Sequence, residues 1–110
     1  MDPQTEFSIV LITAASEDEA ERIACSLVEE RLAACVNIVG PIRSVYRWEG
    51  KVQNERELLL IVKTRTEALP RLQTRITELH SYDTPEIIAL PITAGSEPYL
   101  RWLESSTSNS

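Results

Sequence analysis

One stretch constrains the fold more than any other. Two apolar-rich runs, residues 34–39 and 57–64, flank a polar turning point at residues 44–51, and only Glu49 and Gly50 separate Trp48 from Lys51. A two-residue connection containing glycine is a tight hairpin turn, because glycine supplies the positive φ that short hairpin turns need. Pairing about Glu49-Gly50 sets Trp48 opposite Lys51 and Tyr46 opposite Gln53. Tyr46 and Trp48 then share one face, with Val45 and Arg47 on the other. Gly40-Pro41 interrupts the first arm. Proline cannot donate to a ladder, so a bulge or bend is predicted there. Each arm is about 14 residues, or roughly 45 Å at strand rise. A domain of this size is roughly 35 Å across. The hairpin therefore outreaches its domain by about 10 Å, and its tip is expected to project or to lie on another chain.

The rest of the chain frames this hairpin. Residues 7–14 are short, β-branched and apolar, which predicts a buried strand. Ser16 with Glu19 three residues on is a capping box, and Glu17, Asp18 and Glu19 suit the positive end of a helix dipole. Ala20, Ile23, Ala24, Leu27 and Val28 follow at helical spacing, so a helix is predicted over residues 17–31. Cys25 sits beside that stripe. After the hairpin, Thr66 is placed to cap a second helix, with Pro70 in its first turn and Leu69, Leu72, Ile76 and Leu79 as its buried stripe. His80 falls at its end. Residues 81–85 form a loop, and residues 86–92 a fourth strand, which Pro91 marks as lying at an edge. Ser96 begins a short last helix carrying Tyr99, Leu100, Trp102 and Leu103. The order strand, helix, strand, strand, helix, strand, with right-handed crossovers, puts both longer helices on one face of a four-stranded antiparallel sheet. This is an α+β, ferredoxin-like split-βαβ sandwich, βαββαβ plus a short C-terminal helix. One domain is expected over residues 7–104, with flexible termini at 1–6 and 105–110, the latter having no apolar content.

Charge narrows the function. Net charge is −6, with 17 acidic against 11 basic residues. Nucleic acid is an unexpected partner, since phosphate binding needs a basic footprint. No apolar run reaches the ~20 residues of a membrane helix, and residues 1–6 are acidic where a signal peptide is basic. A cytoplasmic location is expected. Cys25 and Cys35 fit that compartment as free thiols, with a disulfide as the minor alternative.

Four separated motifs carry a family resemblance. They are Glu30-Arg31-Leu32-Ala33-Ala34-Cys35-Val36-Asn37, Tyr46-Arg47-Trp48-Glu49-Gly50-Lys51, Leu59-Leu60-Ile61-Val62-Lys63-Thr64, and the run from His80-Ser81-Tyr82-Asp83-Thr84-Pro85-Glu86 through Ile87-Ile88-Ala89-Leu90-Pro91. In this order they resemble the CutA family of divalent-cation tolerance proteins, over about residues 9–103. The resemblance implies a ferredoxin-like homotrimer with interlocking hairpins, associated with tolerance of copper and other divalent metals. It implies a pocket near the subunit boundary that draws here on Cys35, Trp48, Lys63, His80, Tyr82 and Glu86. Tyr46, Trp48 and Trp102 are the candidate interface residues.

The candidate chemistry is sparse. His80 is the only histidine. A metal site on His80 and Cys35 needs further ligands from carboxylates or a second subunit, because a closed tetrahedral site takes four. No cofactor is obligatory on this reading; copper or another divalent cation is the candidate ion. The bland alternatives are a buried small hydrophobe for Cys35 and a helix-end residue for His80. A Cys35–His80 thiolate–imidazole pair and an Asp83–Glu86 carboxylate pair are the catalytic candidates. Neither has a supporting signature, and Gly40, Gly50 and Gly95 are too scattered to cradle a phosphate. The expectation is a non-enzymatic protein. The alternative is a small-ligand sensor or scaffold, similar in layout to the nitrogen-signalling PII proteins. There Lys63, with Tyr82, Trp48 and a carboxylate, would bind a small anionic ligand.

Overall fold

The computed structural model describes residues 6–108. Its elements are β1 (Phe7–Ala14), α1 (Glu17–Glu29), β2 (Cys35–Trp48), β3 (Lys51–Arg65), a 3-10 turn (Thr66–Ala68) leading into α2 (Leu69–Leu79), β4 (Ile87–Pro91) and α3 (Glu97–Ser106). The sheet order is β2-β3-β1-β4, with every neighbouring pair antiparallel. This is the ferredoxin-like arrangement read from the sequence.

The core lies between one face of this sheet and α1 and α2. Val10 and Ile12 of β1 and Leu58, Leu60 and Val62 of β3 meet Ala20, Ile23, Ala24 and Leu27 of α1 and Leu72 and Ile76 of α2. Alternation along the strands selects these residues, since every second side chain points to the same face. A smaller cluster of Phe7, Ala34 and Leu103 seats α3 against the start of β1. The opposite sheet face is not covered in this way. Leu11, Leu59 and Ile61 are only half-buried there, and Val39, Ile88 and Leu90 are exposed.

The hairpin closes at Glu49-Gly50, where both residues have positive φ, 50° and 78°. Trp48 pairs with Lys51 and Tyr46 with Gln53. Two consecutive positive-φ residues match the twist of the flanking strands. The domain is drawn out to 44 Å along its long axis against 26 and 22 Å across. The predicted irregularity lies between Val39 and Ile42. There the cis Gly40-Pro41 unit gives β2 one residue more than β3, a β-bulge. A side chain on Gly40 would collide with that of Leu58, which is 6% exposed. Gly40→Ala is therefore expected to cost about 1–3 kcal/mol by overpacking, read from urea unfolding. An unchanged midpoint would show that Leu58 gives way freely.

Several local expectations are corrected. Helix α1 stops at Glu29, not Arg31, because Arg31 takes φ 60° and the Leu32 and Ala33 amides turn back to the Leu27 carbonyl. Val28 is exposed and leaves the buried stripe. Thr66 does not cap α2. Its hydroxyl bonds that of Ser8 at 2.7 Å, and the 3-10 turn leads the chain into the helix. At the C-terminal end, α3 runs through Ser106, and Thr107 is buried with its hydroxyl donating to the Leu103 carbonyl. The expected flexible tail thus does not begin at residue 105. Residues 1–5 and 109–110 of the expected termini lie outside the described residues.

Candidate functional site

Beyond the bulge, the uncovered face of the hairpin meets the loop that follows α2. Between them lies a cavity of about 660 Å³, lined by Thr13 of β1, Ser44, Val45, Tyr46 and Trp48 of β2, Glu55 and Glu57 of β3, and Tyr82, Asp83, Thr84 and Glu86. Glu57 is buried, and the Tyr82 hydroxyl donates to its Oε2 at 2.8 Å. Burial and then this carboxylate push the Tyr82 phenol well above its ordinary value. Tyr82 is therefore a neutral donor over the physiological range. The Tyr46 hydroxyl donates to Glu55 in the same way, and that bond raises its phenol. Asp83 and Glu86 bond no side chain among the described residues. Four carboxylates and three aromatic rings thus share a cavity whose lining contains no Lys or Arg.

A buried network anchors the loop. Ser16 accepts the Glu19 amide at 3.2 Å, which is one half of the predicted capping box. The Glu19 carboxylate accepts the Ala15 amide at 3.2 Å and reaches across to the Ser81 amide at 2.7 Å. His80 ends α2 with its ring buried. Its Nε2 lies 2.7 Å from the Thr13 carbonyl, and the Tyr82 amide donates to its Nδ1 at 3.0 Å. A neutral imidazole protonated on Nε2 satisfies both bonds. The rings of His80 and Tyr82 pack at 4.6 Å. His80 therefore positions Tyr82 from behind the cavity wall.

This changes the part His80 plays. Within the chain both ring nitrogens are hydrogen-bonded, and His80 acts there as an anchor of the loop. Cys35 is not its neighbour. Cys35 pairs with Lys63, whereas Thr13, which holds His80, pairs with Leu59. Four strand residues separate those positions, or about 13 Å, so neither a shared metal site nor a thiolate–imidazole pair forms within the chain. The six residues expected in one pocket divide in two. Trp48, Tyr82 and Glu86 line the cavity, with His80 behind it. Cys35 and Lys63 sit at the other end of the sheet, where the Lys63 ammonium and the Cys35 thiol both approach the Asn37 side-chain carbonyl. Within one chain Lys63 lies outside the cavity, whose lining carries four carboxylates. Both cysteines are free, Cys25 exposed and Cys35 half-buried. Among the described residues no three His, Cys, Asp or Glu side chains form a metal-holding group, and no helix is long and apolar enough to cross a membrane.

In the sequence Glu55 and Glu57 are not singled out, and Glu19 is assigned only to the capping box, not to the bond with Ser81. The hairpin register, once set at Glu49-Gly50, was the signal that would have placed Glu55 and Glu57 near Tyr46.

A ferredoxin-like α+β chain with a long hairpin and an acidic, aromatic cavity at its side is a recognisable class. The chain belongs to the family described as CutA1 divalent ion tolerance protein, whose model matches residues 8–106. It is 57% identical over 99 residues to the divalent-cation tolerance protein CutA of Thermus thermophilus, covering 90% of this chain and 96% of that protein. It is 52% identical over 101 residues to the chloroplastic protein CutA of Arabidopsis thaliana, covering 92% of this chain and 56% of that longer protein. Among solved structures, the divalent cation tolerance protein of Thermus thermophilus superposes with a TM-score of 0.91 at 55% identity, over 93% of this chain and 99% of that one. CutA1 of Oryza sativa gives 0.92 at 48% identity, over 97% and 98%.

Proposed function

We propose that this chain is a non-enzymatic divalent-cation tolerance protein that binds cations in the acidic cavity and works as a homotrimer in the cytoplasm. The observation that carries the reading is the lining itself: Glu55, Glu57, Asp83 and Glu86 with no basic residue among them. Such a concavity holds a negative potential that concentrates cations. Copper is the first candidate ion, because divalent affinity for mixed donor sets peaks at Cu²⁺. Among the described residues no metal-holding group of three forms within one chain, so a metal would take further ligands from a neighbouring subunit. The uncovered apolar sheet face and the open edge of β2 support such an assembly, since a solvated edge and apolar face invite pairing. A head-to-tail interface among three chains closes a ring. The two free thiols support a reducing compartment.

Calorimetric titration with Cu²⁺ tests the reading. Asp83→Asn with Glu86→Gln is expected to weaken binding about tenfold or more, roughly 1.4 kcal/mol. His80→Ala should change stoichiometry little, since its nitrogens are already bonded. Undiminished binding in the double variant would remove the cavity from the metal site. A second reading, a small-ligand sensor using the same cavity, is favoured by its size, which lies in the range of organic-ligand pockets.

A further inference from the structure

We infer that the cavity recognises an aliphatic diammonium or polyammonium ion. The inference rests on the reading of this cavity as a cation site and concerns which class of cation its geometry fits. A bare divalent metal concentrates its charge at a point and needs oxygens converging to about 2.0–2.6 Å. Here, among the described residues, no three carboxylates form such a group. Two of the four are also committed to tyrosine hydroxyls, Glu55 to Tyr46 and Glu57 to Tyr82. The negative charge is thus distributed around a wide space of about 660 Å³ that a bare ion would leave almost empty.

An extended organic dication matches a distributed charge. Each ammonium carries three donors and no acceptor. Each committed glutamate keeps acceptor capacity, because a carboxylate offers about four lone-pair sites and a hydroxyl takes one. Asp83 and Glu86 have all of theirs. The methylenes between the ammonium groups would lie on Trp48, Tyr46 and Tyr82, and ammonium near an aromatic face is attracted by the ring quadrupole. The tyrosines serve twice, as walls and as clamps that hold Glu55 and Glu57 in place. An anion finds no donor of positive charge in the lining this chain supplies, and a neutral chain would forgo every carboxylate.

The test uses the intact full-length protein. The chain has two tryptophans, and Trp102 stacks on Tyr99, which like it does not line the cavity. Trp102→Phe therefore leaves Trp48 as the reporter. Titration with 1,4-diaminobutane and with spermidine, at matched ionic strength, should give a saturable change in Trp48 fluorescence, and 1,4-butanediol none. Asp83→Asn with Glu86→Gln should weaken diamine binding about tenfold or more. Equal response to the diol, no saturation by about 10 mM diamine, or wild-type affinity in the double variant would each overturn the inference. Copper titration of the same sample separates the two readings. Copper binding without diamine binding overturns the inference and leaves the metal reading standing. Diamine binding without copper binding supports the inference and removes the metal.

Discussion

Trp48→Ala is expected to lower stability by about 3–5 kcal/mol per chain in the assembled protein, the range for truncating a buried large aromatic. Within one chain Trp48 is 56% exposed, and Val45 and Val52 on the other face of the hairpin are 65% and 64% exposed. An isolated chain would therefore barely register the change. The size of the effect is a direct reading of whether the tip is buried between chains, because that burial exists only on association. Light scattering at micromolar concentration should report three chains for the wild type and a shift to smaller species for the variant. A folded wild-type monomer whose Trp48 emits as in water would end the homotrimer proposal.

Glu19→Ala is the second large effect, at about 1–3 kcal/mol, because it takes a charged acceptor away from the part-buried bonds of the Ala15 and Ser81 amides. Burial works against the Glu19 carboxylate, but the Ser81 and Ala15 bonds outweigh it and hold the carboxyl below its ordinary value of 4.5. The folded pKa is thus lower than the unfolded one. The stabilisation is complete above the unfolded value and drains away as pH falls through it towards the folded pKa. Glu19→Gln keeps an acceptor but cannot titrate, so its unfolding free energy should fall less steeply below about pH 4.5. Urea melts at a series of pH values read this directly. Superimposable acid limbs for wild type and Gln variant would show that another group sets them.

How far the sequence was legible follows from the range of each signal. The hairpin register was readable because two residues, Glu49 and Gly50, decide it locally. The start of α1 was readable because Ser16 and Glu19 lie one turn apart. What the pattern did not disclose was the distance between residues sharing a motif-rich region. Lys63 and Glu57 are six residues apart on one strand, or about 20 Å, so only one of them reaches the cavity. Nor does any local pattern show Glu19 bonding Ser81, 62 residues on, or His80 turned inward to Thr13. Such contacts arise only when α1 and α2 pack side by side. Thr66 looked like a cap because its neighbours were read without Ser8, which β1 brings alongside.

The bulge at Gly40-Pro41 has a consequence for how β2 divides its labour. Ahead of it, even-numbered positions such as Val36 turn towards the helices and join the core. The ladder then advances three residues on β2, from Val39 to Ile42, against two on β3, from Leu59 to Glu57. That odd step inverts the parity of the strand. Beyond it, the even-numbered Ser44, Tyr46 and Trp48 turn to the opposite side, with Glu55 and Glu57, and furnish the cavity. A single uninterrupted strand with this sequence would send its aromatic rings to the helical side. One surplus residue therefore lets the same alternation be spent first on folding and then on recognition, with Gly40, fitted against Leu58, as the point of inversion.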